Sequence, residues 1–143
     1  MTLIDVNVLV HAYRGDAPDH SSYRKWLDTL LRLGFSFGIS NEVFAGFLRV
    51  VTHPKVFRTA SPLPSALEFC KILRGHPSFI PVSAGPTHWG VFVDLCQNHD
   101  LKGNLIHDAH HAALAIELDA DWVSADADFA RFKALRWVHP LKS

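Results

Sequence analysis

The sequence is poor in cysteine: Cys70 and Cys96 stand far apart and form no CxxC pair. That argues against a zinc knuckle or a disulfide scaffold and fits reduced thiols in a cytoplasm. Neither sign of charge is in excess, since fourteen basic residues balance fourteen acidic ones. A protein that holds nucleic acid through an overall positive field is therefore not expected, and any RNA contact has to be local. A long hydrophobic run is missing too. The opening stretch from Leu3 to Val10 is too short to cross a bilayer and is interrupted by Asp5 and Asn7, and no basic segment precedes it as in a signal peptide. Neither a membrane anchor nor a cleaved leader is expected. What is present is the balance of a globular chain, 48% hydrophobic and 20% charged over 143 residues, enough for a single domain spanning 1–143.

Two periods alternate along the chain. Leu3 to Val6 reads as a buried strand, and Tyr23, Trp26, Leu27, Leu30 and Leu31 then recur as one face of a helix. Phe35, Phe37 and Ile39 alternate as in a strand, after which Ser40 is a candidate cap for a helix with the stripe Val43, Phe44, Phe47, Leu48 and Val51. Leu67, Cys70 and Leu73 predict another helix, and Phe79 to Val82 a short third strand. Trp89, Phe92, Val93 and Cys96 are helical again, with Trp26 and Trp89 expected in the core. Asn104 is a candidate cap for a helix carrying Ala109, Ala112, Ala113 and Ile116, followed by strands at 122–124 and 137–139. The expected fold is α/β: a mostly parallel central sheet of four to five strands with helices on both faces, and ligands beyond the carboxyl ends of its strands.

The acids are placed where such a sheet would bring them to one edge. Asp5, in an apolar strand, is costly to bury unless it is hydrogen-bonded by a neighbouring loop or bound to a cation. Asn7 beside it is a cap or an orienting neighbour. Glu42 falls in the first turn of its helix, where the macrodipole favours an anion, yet it shares a face with Gly46 and Arg49 and is free to look into a cleft. Asp108 is expected to repeat that arrangement in the first turn after Asn104. Asp126 and Asp128 follow the strand that ends at Ser124, and of the two Asp128 is the expected helix cap. If the acids converge, a divalent cation removes their mutual repulsion; oxygen ligands suit Mg²⁺ or Mn²⁺, and such an ion supports attack of water on a phosphodiester.

The set Ile4-Asp5-Val6-Asn7-Val8-Leu9, Ser40-Asn41-Glu42, His107-Asp108-Ala109 and Ser124-Ala125-Asp126-Ala127-Asp128-Phe129 resembles the PIN-domain ribonucleases, especially the VapC-type toxins of bacterial toxin–antitoxin pairs. The resemblance implies a PIN fold, endonucleolytic cutting of RNA with Mg²⁺ or Mn²⁺, and Asp5, Glu42, Asp108 and Asp126 at the acidic positions. Asp128 matches a less regular fifth acid, and Asn7 and Ser124 would support the ligands. It also implies a homodimer and a cognate VapB-type antitoxin. Between Val43 and Leu67 there is no acid, while Arg49, Lys55 and Arg58 occur, a candidate edge for phosphate contacts. Two other readings stand beside this one. A non-catalytic PIN-like domain would bind RNA or protein without cutting. A zinc enzyme or phosphohydrolase would use His107, Asp108 and His111, whose histidines have the i, i+4 spacing of metal ligands.

Overall fold

The computed structural model describes residues 1–142. Four short strands, β1 (Thr2–Ile4), β2 (Phe37–Gly38), β3 (Asp121–Val123) and β4 (Trp137–Val138), form one sheet in the order β2-β1-β3-β4. Every neighbouring pair is parallel, with Leu3 opposite Gly38 and Trp122, and Ile4 opposite Val123. Adjacent residues of β1, Leu3 and Ile4, and of β3, Trp122 and Val123, are all buried. Because successive side chains leave a strand on opposite sides, both faces of the sheet are covered, as a parallel sheet requires.

Six helices supply the cover: α1 (Val6–Tyr13), α2 (His20–Leu33), α3 (Asn41–Val51), α4 (Leu63–Arg74), α5 (His88–Asn98) and α6 (Asn104–Glu117). Among the described residues no helix is long and apolar enough to cross a membrane. The Ser40 cap forms as expected, its Oγ accepting from Val43 N at 3.1 Å, and Val43, Phe44, Phe47 and Val51 of α3 are buried. Helix α1 packs against both α2 and α3. The second approach is close because Gly46 has no side chain: a Cβ there would meet Val6 Cγ2 at 3.0 Å.

Several boundaries differ from expectation, each for a local reason. The first strand stops at Ile4, and Asp5 turns the chain into α1 by capping it, its Oδ1 accepting from Val6 N at 2.7 Å. Phe79–Val82 is no strand but a single parallel bridge, Phe37 to Phe79, continued by Ile80 N donating to Phe37 O. Asn104 is the first residue of α6 and not its cap; Gly103 holds that position at φ 59°, with no side-chain cap hydrogen bond. Asp108 consequently lies in the second turn. Asp126, not Asp128, caps the short 3₁₀ helix Ala127–Arg131, its Oδ1 accepting from Asp128 N at 2.9 Å. Trp89 is 70% exposed, since α5 turns His88 and Leu95 inward.

The aromatic core and the exposed indole separate cleanly in a stability experiment. Phe47 is fully buried between Tyr13 and Phe69, with ring centroids at 5.3 Å from each. Phe47→Ala is expected to cost about 3–5 kcal/mol in urea unfolding, and Trp89→Ser to stay within about 0.5 kcal/mol. A large loss at Trp89 would contradict its exposure.

Candidate active site

In the order β2-β1-β3-β4 the chain leaves β1 to one side and returns from β2 to the other, so the order of winding reverses between the parallel strands β1 and β3. At such a switch point the loops after the two strands part and leave a crevice at their carboxyl ends. Asp5 follows β1 and Ser124 follows β3 at that place. Ser124 is fully buried; its Oγ donates to Asp5 Oδ2 at 2.7 Å and accepts from Asn7 Nδ2 at 3.1 Å and from Asp126 N at 3.0 Å. Asn7 also donates to Asp5 Oδ2 at 3.3 Å and accepts from Ala125 N at 3.1 Å. The two loops are thus joined through one hydroxyl and one amide, and both Asp5 oxygens are held.

Those donors favour an ionised Asp5, yet burial outweighs them and pushes its pKa up to about 6, with the charges of Asp108 and Asp126 adding to the rise. Asp108, on α6, is half-buried and also raised, by burial first and then by Asp126 and Asp128. Oxygens of Asp108, Asp126 and Asp128 all lie within 4.8 Å of one another. Among the described residues this is the one group of three or more acid, histidine or cysteine side chains so close, and it contains no histidine. His107 and His111 therefore lack the third ligand that a zinc site needs. His111 is instead stacked on Trp122 at 5.2 Å, and burial pushes its pKa down to about 4.

Glu42 stands outside the three-carboxylate group. It lines the same open cleft of about 700 Å³ as Asp108, together with Gly46, Arg49 and His107, which is the helical face expected of it. Its Oε2 is 3.1 Å from Nδ1 of His110. Sequence reasoning passed over two residues here. His110 is paired with Glu42 across 68 positions, a separation no local pattern signals. Arg131 sits three residues after Asp128 on the 3₁₀ helix and donates from Nε to its carbonyl at 3.0 Å; its charge partly offsets the rise at Asp108. That i, i+3 spacing of opposite charges was visible in the sequence. Lys55 and Arg58 lie beyond α3, between α3 and α4, and do not line the cleft that Arg49 lines.

The raised Asp5 has a definite sign in metal-free buffer. Its folded pKa of about 6 exceeds the ordinary 3.8, so its stabilising contribution is fully present below about pH 4 and is lost as pH rises through 6. A shift of about two units corresponds to about 3 kcal/mol. His111, with its folded value below its ordinary 6.5, acts oppositely, losing its contribution as pH falls from about 6.5 to 4. Comparing wild type with Asp5→Asn cancels the histidine. In chelator, the stability of the variant relative to wild type is expected to climb by about 3 kcal/mol between pH 4 and pH 7. A difference that stays flat across that range would refute the burial of a costly carboxylate.

Residues 2–135 match the PIN domain family. The chain is 42% identical over 140 residues to Ribonuclease VapC25 of Mycobacterium tuberculosis, covering 98% of this chain and 99% of that one. It is 43% identical over 141 residues to Ribonuclease VapC43 of the same species, covering 99% and 96%. Among solved structures, VapBC2 from Rickettsia felis, bound to a DNA fragment from its promoter, superposes with a TM-score of 0.67 at 22% identity over 96% of each chain. The sarcin-ricin loop cleaving toxin VapC20 of Mycobacterium tuberculosis does so with 0.66 at 13% identity, over 95% of this chain and 98% of that one. With a family match across nearly the whole chain, full-length relatives above 40% identity and the same fold, this protein belongs to the PIN domain family.

Proposed function

We propose that this protein is a metal-dependent endoribonuclease of the VapC type, the toxin of a toxin–antitoxin pair, cutting RNA by attack of water on a phosphodiester. The observation that carries the reading is the gathering of Asp108, Asp126 and Asp128 within 4.8 Å at the sheet edge where Asp5 is buried. The donor set is all oxygen, which fits Mg²⁺ or Mn²⁺ better than zinc. Asp5, Asp108, Asp126 and Asp128 are the residues that would hold the ion, and its charge would relieve the repulsion that contributes to the rise at Asp5 and Asp108. A divalent ion bound there supplies Lewis acidity toward a phosphoryl oxygen and a water acidic enough to serve as nucleophile at neutral pH.

The remaining residues orient and balance. Ser124 and Asn7 hold Asp5 Oδ2 by the hydrogen bonds described above, the support that metal-binding carboxylates need. Glu42, steadied by His110 and facing the same cleft as Asp108, orients the attacking water and accepts its proton. Arg49 contacts a phosphate in the cleft without reading sequence. Relatives named as ribonucleases at 42–43% identity support the activity. Solved complexes of this fold, VapBC2 of Rickettsia felis and a toxin–antitoxin complex of Klebsiella pneumoniae, support a VapB-type antitoxin as partner. The same reading places the protein in the cytoplasm as a homodimer.

Partner-free protein incubated with total cellular RNA, with chelator or with added Mg²⁺ or Mn²⁺, tests the reading once the cleaved ends are mapped. Cutting at discrete sites is expected only with metal. RNA that is bound but left intact under all conditions would make the protein a binding module, and tightly held stoichiometric zinc would also count against the proposal. Asp108→Asn is expected to slow cleavage by at least about a hundredfold while the metal-free protein stays folded and no less stable, because charge crowding is relieved. Arg49→Ala is expected to weaken RNA binding evenly across sequences and to lower the slope of log affinity against log salt by about one.

A further inference from the structure

We propose that a second, smaller cavity beside the acidic cleft is a nucleobase pocket, which takes one unstacked base of the RNA strand whose phosphate lies in the cleft and so selects where the strand is cut. The inference rests on the ribonuclease reading and names the part of the substrate that this neighbouring space receives. The cavity measures about 110 Å³ and shares Glu42 and His111 with the cleft as a common wall. A base entering it therefore belongs to a nucleotide next to the acidic cluster.

The lining selects the ligand class. Val82 and Leu114 supply apolar side chains, His110 and His111 supply imidazole rings, and Asn41 supplies an amide. The oxygen of that amide already accepts from Arg74 Nη1 at 3.2 Å, which leaves its NH₂ to donate. The one carboxylate on the lining is Glu42, so a phosphate is repelled, and that carboxylate is already engaged by His110. An uncharged planar heterocycle with donors and acceptors on its edge satisfies the lining. Splayed bases of single-stranded RNA are recognised in this way, by stacking and by hydrogen bonds to their edges.

The cavity is also held in shape. Its outer wall is the loop carrying Val82, Ser83 and Ala84, and the loop is pinned by one carboxylate. Glu117 accepts from Gly85 N at 2.7 Å, from Thr87 N at 2.9 Å and from Thr87 Oγ at 2.8 Å. A Cβ at position 85 would come within 2.8 Å of Glu117 Oε2, so a larger residue there would make the Glu117 carboxylate shift. On the opposite wall the His110 ring packs edge-on against His88 at 4.5 Å and Phe92 at 5.6 Å. A preformed pocket spares the ordering cost that a mobile loop would add on binding.

Ala84 and Ser83 are exposed and lie outside the acidic cluster, so Ala84→Leu and Ser83→Leu fill the pocket from the loop without entering the core. RNA oligonucleotides randomised around the cut are digested by wild type and by each variant, and the ends are sequenced. The readout is the ratio between bases at each position within one digest, which does not depend on the overall rate. Wild type is expected to favour one base at a fixed position beside the cut by about tenfold, and either filled variant to reduce that ratio below about twofold. An unchanged preference in both folded variants, or no base preference in wild type, overturns the pocket. If wild type leaves RNA intact, the ribonuclease reading has failed. The pocket is then decided by titrating the four ribonucleosides into metal-free protein and following the His110 and His111 ring resonances. A saturable shift that is lost in Ala84→Leu upholds it, and no shift with any of the four overturns it.

Discussion

Burying a carboxylate beside other carboxylates is the constraint around which this molecule is arranged. Two like charges about 4 Å apart repel by about 4 kcal/mol at an effective dielectric of 20, and removing one of them from water adds a desolvation cost. At Asp5 the second effect is the larger, because burial leads the causes of its rise and the charges of Asp108 and Asp126 follow. Three donors, Val6 N, Ser124 Oγ and Asn7 Nδ2, are concentrated on its two oxygens and still leave it above the ordinary carboxylate range. A fold that needed only a helix cap at this position would have no reason to bring further acids to it. Concentrated donors together with concentrated like charge make sense when the remaining imbalance is met by a cation.

The sheet is what makes the concentration possible. Asp5 and Ser124 are 119 residues apart, yet β1 and β3 run parallel and in register, Ile4 opposite Val123, so the residues that follow them emerge side by side. The Asp5 amide donates to Val123 O at 3.0 Å, which extends the ladder one step past the strand and fixes the acid's backbone. Asp126 then follows by its own cap geometry, and Asp108 arrives on the helix that leads into β3. None of these positions depends on a long loop finding its place, which is why a site drawn from three separated stretches of chain can be held tightly enough to matter.

Much of this was legible from the residues alone, and what escaped has physical reasons. The helical periods of α2, α3, α4 and α6, the Ser40 cap and the cleft-facing side of Glu42 match the structure because each is set within one turn. Helix α1 escaped because its short apolar run from Val6 continues that of β1 with only Asp5 between them. Caps were harder. Asp126 and Asp128 are both near the start of the 3₁₀ helix, and the choice between them turns on a backbone dihedral that side-chain identity does not reveal. Phe79–Val82 has strand composition but meets only the end of β2, itself two residues long, so no ladder can grow. Trp89 has helical spacing with Phe92, Val93 and Cys96, yet the side that α5 turns inward carries His88 and Leu95 and leaves Trp89 in solvent. The pairing of Glu42 with His110 and the clamp of Glu117 on its loop are long-range contacts that single-sequence periodicity cannot contain.

The even overall charge acquires a meaning once the site is placed. With fourteen cations and fourteen acidic side chains in the whole chain, gathering four acids at one edge creates a local negative field that opposes an approaching phosphodiester. Arg49 lies on the same cleft as Asp108 and Glu42, where its charge offsets only part of that field. On the proposed reading, the ion and the RNA strand therefore assist each other: neutralising the acids lowers the repulsion that the phosphate meets, and by reciprocity a bound phosphate strengthens the hold on the ion. A molecule arranged in this way keeps little affinity for RNA when metal is scarce, although its fold and cleft are unchanged. On that reading its cutting is gated by the same carboxylates that carry it out.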